Sequence, residues 1–189
     1  MIIRTKQDLI ECLDGDLKRL GTKPKFWERL IFSERYMLYS CFRNMRYLNY
    51  YRNNKHWYNL PMYFYHYVKY VRYSVKYNIN VQTRDVDPGL YFVHPGFFRV
   101  NPDVHIGRNV TVLPNVLIGR RRPDKSNNHV HIGDNVYIAT GVTILGPVVI
   151  GNNVTIAANS VVIKDIPDNA VVSGVPAKII MQNGQKVEK

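Results

Sequence analysis

The chain has 189 residues, enough to bury one sizeable core with a small appended lobe, and carries a formal net charge of +12. Cys12 and Cys41 lack disulfide spacing, Met1 to Lys6 lacks the apolar run of a signal peptide, and no stretch reaches about 18 uncharged apolar residues. These features argue against a disulfide-stapled secreted domain and a spanning helix, so a cytoplasmic protein is expected.

The charge is uneven. Residues 1–78 hold 15 Lys/Arg against 6 Asp/Glu, and the remainder holds 11 against 8. A basic field of this kind suits nucleic acid, anionic lipid or a phosphorylated ligand and does not choose among them. From a possible N-cap at Thr5, Leu9, Ile10, Leu13, Leu17 and Leu20 follow helical spacing, and Gly21 with Pro24 ends the segment. A second helix is predicted from Ser33 to Asn53 and Asn54, carrying Met37, Leu38, Cys41, Met45 and Leu48. A third starts near Pro61 and sets Phe64, Val68, Val71 and Val75 on one face. Residues 1–78 thus form an expected helical cap.

Between Arg35 and Arg84 no acidic residue occurs, while twelve tyrosines interleave with Arg43, Arg46, Arg52, Lys69, Arg72 and Lys76. The first reading is a cap and oligomer contact with half-buried Tyr rings. Peripheral contact with an anionic membrane comes second, because Tyr beside cations suits a membrane interface, and nucleic acid ranks last.

From Val86 an aliphatic residue recurs every six positions. The inward series reads Val86, Phe92, Val100, Ile106, Val112, Ile118, Ile132, Ile138, Ile144, Ile150, Ile156 and Val162. Fixed self-similarity of period six is the mark of a stacked hexapeptide β-helix, and twelve hexads at three per triangular turn make about four coils. The period fails twice: eight residues separate Phe92 from Val100, a stretch holding His94, and fourteen separate Ile118 from Ile132, ending with His129. Insertions in a repeat become surface loops, and loops on a rigid scaffold often carry function. Hexad counting puts the two histidines on different edges of one prism, so they can share a site only between adjacent subunits. After Val162 the period fades through Ile166-Pro167, Val171 to Ile180 reads as a final partial turn, and residues 181–189 as a flexible tail.

Four stretches, Gly89-Leu90-Tyr91-Phe92-Val93-His94-Pro95-Gly96, Ile132-Gly133-Asp134-Asn135-Val136-Tyr137-Ile138, Asn159 to Pro167, and Gly174-Val175-Pro176-Ala177-Lys178-Ile179-Ile180, carry a resemblance. Over residues 79–180 the chain resembles the hexapeptide-repeat acyltransferases, most closely the serine acetyltransferase branch and its polysaccharide-modifying relatives. The resemblance implies a mainly β chain: a left-handed parallel β-helix with an N-terminal α-helical cap, assembled as a homotrimer with acetyl-CoA as acyl donor in the cleft between subunits and no metal. It implies His94 as general base and His129 as the second active-site histidine. Ala139, Thr140, Gly141, Ala157 and Ala158 would let the donor approach the backbone, with Lys164 and Lys178 at its phosphates. Apart from the resemblance, the basic run Arg120 to Lys125 is expected either to clamp phosphate or to stand as a solvated hairpin.

The sequence departs from the serine enzymes at three places. The acid that partners the base has no counterpart at Ile79-Asn80-Val81, leaving Asp85, Asp87 or a backbone carbonyl; and Val93 and Asn128 stand where charged residues would grip an amino acid. Tyr91, Phe97 and Phe98 beside His94 offer flat faces on which sugars stack. The expected reaction is therefore direct O-acetylation of a sugar of a surface polysaccharide or its nucleotide- or lipid-linked precursor. Serine O-acetylation is the alternative. An inter-subunit zinc enzyme of the gamma carbonic anhydrase type comes last, with His129 and His131 two apart on a strand as chelators.

Overall fold

The computed structural model describes residues 1–122 and 128–187. Helix α1 (Lys6–Leu20) starts at a reciprocal cap: Thr5 Oγ1 accepts from Asp8 N, and the Asp8 carboxylate accepts from Thr5 N. A short α2 (Phe26–Leu30), which helical spacing did not reveal, leads into α3 (Glu34–Asn53), whose Ser33 cap accepts from Tyr36 N. After a 3₁₀ turn, α4 (Leu60–Tyr77) runs back along α3 with Pro in its first turn.

The chain then winds into a prism of five coils. The first holds β1 (Ile79–Val81), β2 (Asp85–Val86) and β3 (Tyr91–Phe92), and the second β4 (Phe98–Val100), β5 (Val104–Ile106) and β6 (Thr111–Val112). The third holds β7 (Val116–Arg120), β8 (Val130–Ile132) and β9 (Tyr137–Ile138), and the fourth β10 (Thr143–Gly146), β11 (Val148–Ile150) and β12 (Thr155–Ile156). The fifth has β13 (Val161–Val162), a single bridge from Ile166 to Ile150, and β14 (Ala170–Ser173). The strands stack in parallel into three faces, β1-β4-β7-β10-β13, β2-β5-β8-β11 and β3-β6-β9-β12-β14. Two differences from the expected four coils arise at the ends. Ile79 and Val81 turn inward a hexad before Val86, and Ile166 and Val172 stay inward after the period has faded. Beyond β14 the direction reverses. Strands β15 (Lys178–Gln182) and β16 (Gln185–Lys186) form an antiparallel hairpin where a final turn and a flexible tail were expected.

All twelve predicted inward residues are buried. At one edge, Asn109, Asn135, Asn153 and Asn169 adopt positive φ, and their amides bond from one coil to the next at 3.0–3.3 Å. Asn is the non-glycine residue that tolerates this conformation best, so each such corner turns without strain.

The cap closes the first coil. Leu38, Cys41, Phe42 and Met45 of α3 join the prism core, with the Phe42 ring stacked 4.5 Å from Phe92. Arg46, fully buried, donates twice to the Asp16 carboxylate at 2.9 Å and to the carbonyls of Val86 and Asp87 at 2.5 and 2.8 Å. One guanidinium thus joins α1, α3 and the first coil. Burial pushes the thiol of Cys41 up to about 12, consistent with an inert core sulfur.

His66, on α4, is 3% exposed. Its ring stacks 4.5 Å from Tyr47, Nδ1–H donates to Asn44 Oδ1 at 2.8 Å, and Nε2 is buried without a partner. Burial, with Arg43 and Lys69 adding to it, pushes its pKa down to about 4. The unfolded chain takes up this proton near pH 6.5. The neutral ring therefore contributes fully above pH 6.5, and the contribution is lost as pH falls towards 4, by up to about 3 kcal/mol. Urea unfolding at pH 7 and pH 4.5 is expected to show this loss, and His66→Phe to flatten it; an unchanged slope in the variant would assign the loss to other groups.

Candidate active site

His94 lies in the turn from β3 to β4, and the structure explains the eight-residue spacing there. Strand β4 begins two residues before its predicted inward Val100, so Phe98 and Val100 both face the core. Residues 93–97 loop outward. Gly96 sits against the next coil so closely that a Cβ would come within 2.8 Å of Pro114 Cβ. The His94 side chain is 63% exposed, and its Nδ1 lies 2.7 Å from Glu34 Oε1.

Glu34 is the first residue of α3, a position where the helix dipole favours a carboxylate. This corrects the expected partners: the acid comes from the cap, sixty residues away. Asp85 and Asp87 are engaged elsewhere. Both meet the Met1 amino group, and Asp85 Oδ2 lies 3.1 Å from His105 Nδ1.

The edge that bears His94 continues upward through the small residues. Thr140 and Gly141 sit at the β9–β10 corner, where Thr140 Oγ1 donates to Pro114 O at 2.8 Å; Ala157 and Ala158 occupy the β12–β13 corner above. Gly141 has φ +73°, and a Cβ there would collide with Asn159 Oδ1, so glycine is required. Ala158 is open, whereas Ala139 is 8% exposed and belongs to the wall behind it.

The aromatic residues separate. Phe97 is 37% exposed beside His94, but Phe98 is fully buried with its ring edge-on to Phe92 at 4.5 Å. Phe98 is thus a core residue and offers no face to a ligand. Tyr91 points outward beneath α1, with Arg19 Cζ 5.7 Å from its ring centroid.

His129 is exposed at the corner between β7 and β8, the neighbouring edge. A face of three to five residues lies between the two histidines, roughly 10–16 Å at the rise of a strand. Within one prism they cannot act on one substrate. Lys164 is exposed on the same edge as His129, and Lys178 is exposed at the start of β15. In the expected clamp, Arg120 is committed to Asp103 at 2.5 Å, while Pro123, Asp124 and Lys125 lie outside the described residues. Asn128 is buried, and its Nδ2 donates to Arg122 O at 3.0 Å.

On the second face, outward Asp85, His105 and His131 stand in register on β2, β5 and β8, with the two imidazoles stacked 4.5 Å apart. His131 therefore partners His105 rather than chelating with His129. Among the described residues, one group, Asp85, Asp87 and His105, has donor atoms close enough together to hold a metal ion. Stacking between coils made this cluster; spacing along the sequence did not show it.

Residues 129–164 match the family described as bacterial transferase hexapeptide (six repeats). That match covers part of the coil, from β8 to β13. The chain is similar to curated serine acetyltransferases: 42% identity over 84 residues with that of Bacillus pumilus, covering 44% of this chain and 39% of the relative. With that of Staphylococcus xylosus it is 42% over 100 residues, covering 53% and 46%. The matches thus span less than half the length of these relatives.

Among solved structures, the serine acetyltransferase of Neisseria gonorrhoeae in complex with serine superposes with a TM-score of 0.68 at 23% identity, over 93% of this chain and 70% of that one. The soybean apoenzyme gives 0.69 at 23%, with the same coverage. These neighbours share the fold, a left-handed parallel β-helix preceded by helices.

Proposed function

We propose that this chain is an acetyl-CoA-dependent O-acetyltransferase, working in a cleft between copies of the prism in a homotrimer, with the hydroxyl of L-serine as acceptor. The observation that carries the reading is the His94–Glu34 pair at 2.7 Å on an exposed corner, at the foot of an edge lined by Thr140, Gly141 and Ala158. With Nδ1–H donated to the Glu34 carboxylate, Nε2 is the basic lone pair. It accepts the serine hydroxyl proton as the oxygen attacks the thioester carbon; the carbon–sulfur bond breaks, and the CoA thiolate leaves and is protonated by the imidazolium. His129 of a neighbouring copy supplies a donor to the oxyanion.

L-Serine takes precedence over the sugar hydroxyl expected from sequence because the matched relatives are serine acetyltransferases. A sugar hydroxyl remains the second reading on one observation, the exposed ring of Phe97 beside His94.

Thiol release from acetyl-CoA, measured with L-serine, nucleotide sugars and lipid-linked sugars, tests both. Turnover with serine at least about a hundredfold above the sugars is expected, because the matched relatives are serine acetyltransferases and a pocket shaped for one hydroxyl acceptor discriminates by about that factor. The reverse order would restore the sugar reading, and no release with any acceptor would remove the acyltransferase assignment.

A further inference from the structure

The third predicted helix has the predicted apolar face, but that face turns to solvent. At about 100° per residue, Leu60, Phe64, Tyr67, Val68, Val71 and Val75 of α4 fall within an arc of about 100°. They are 37–78% exposed, and the arc lies opposite buried His66. Lys69, Arg72 and Lys76 follow on one flank of the same helix. The strip extends at both ends. Trp57, 82% exposed, stands before the first turn of α4, and Phe32 lies beside the last, with Lys76 Nζ 5.6 Å from its ring centroid.

We infer that this face of α4, with Trp57 and Phe32 at its ends, docks on an anionic lipid bilayer. The inference is independent of the acyl-transfer reading. Charge selects the occupant. Residues 35–84 hold nine Lys/Arg and no Asp or Glu, so two copies meeting through this face would oppose like charges with no carboxylate between them.

Among the described residues the prism offers no unengaged acidic patch. Asp85 and Asp87 meet the Met1 amino group, Asp103 is paired with Arg120, and Asp134, Asp165 and Asp168 accept from backbone N–H groups of the preceding coil. Phospholipid headgroups supply the missing negative charge, while Tyr and Trp place apolar bodies in the acyl boundary and polar tips in water. With three cations and 18 residues, about 27 Å, α4 lies in the interface plane. Among the described residues no helix is long and apolar enough to cross.

Flotation of the full chain with phosphatidylcholine vesicles, with and without phosphatidylglycerol, tests this at low and high salt. Co-flotation with the anionic vesicles at low salt is expected, at least about tenfold above the neutral ones and reduced by salt. Phe64→Ser with Val71→Ser, and separately Lys69→Glu with Arg72→Glu and Lys76→Glu, should each lower partition at least about tenfold, with melting temperature and oligomer size unchanged.

Absence of flotation at low salt, equal flotation with neutral vesicles, or insensitivity to both variants would overturn the inference. So would a Phe64/Val71 variant that changes oligomer size but not flotation, which would make the face a subunit contact.

Discussion

Replacing His94 by alanine is expected to lower the rate of thiol release with L-serine by about 10²- to 10⁴-fold, the range for removal of a positioned general base. Binding of acetyl-CoA, measured by calorimetry, should change little, because the small residues of Thr140, Gly141 and Ala158 lie on higher coils. Glu34→Gln keeps a hydrogen-bonding group within reach of Nδ1 but removes the carboxylate that stabilises the imidazolium. Its rate should fall between wild type and His94→Ala, in kcat rather than KM. Equal rates in wild type and His94→Ala would remove His94 from the reaction.

The second large effect concerns stability. Arg46→Ala should destabilise the chain by about 3–5 kcal/mol in urea unfolding, since it strands the Asp16 carboxylate and deprives the Val86 and Asp87 carbonyls of their donor. Burial alone would lower the Arg46 pKa, but Asp16 raises it overall, so the guanidinium is charged in the folded chain. Arg46→Met with Asp16→Asn removes both charges together and should recover part of the loss. A shift below about 1 kcal/mol for Arg46→Ala would mean that the cap is held by apolar packing alone.

The hexads were legible because their signal is local: an inward residue every six positions needs no knowledge of the rest of the chain, and all twelve are buried. The cap of α1 at Thr5 and the start of α3 at Ser33 were legible for the same reason, and both side chains bond three residues ahead. What failed to show was whatever depends on distant parts meeting. Glu34 and His94 are sixty positions apart, and nothing in either stretch points to the other. Phe98 was misplaced because a broken period does not say which residue after the break resumes facing inward.

On α4 the spacing grouped Phe64, Val68, Val71 and Val75 correctly but could not give the direction of the face. The side that packs against the fold presents His66, Tyr70, Tyr73 and Tyr77, which composition reads as polar. The Asp85–His105–His131 file was hidden likewise, since its members come together only when coils stack.

The register between β10 and β13 pairs Thr143 with Val161, so the fourth coil contains eighteen residues, from 143 to 160. Length along this prism is therefore quantised. Removing or duplicating one whole coil would move everything above it by one rung, about 4.8 Å, and leave every inward residue inward. Removing a single hexad would instead swing the upper coils round by one face and carry Ala158 off the edge that bears His94. The molecule thus behaves as a ruler graduated in coils, and the reach from His94 to its upper end can evolve only in whole steps.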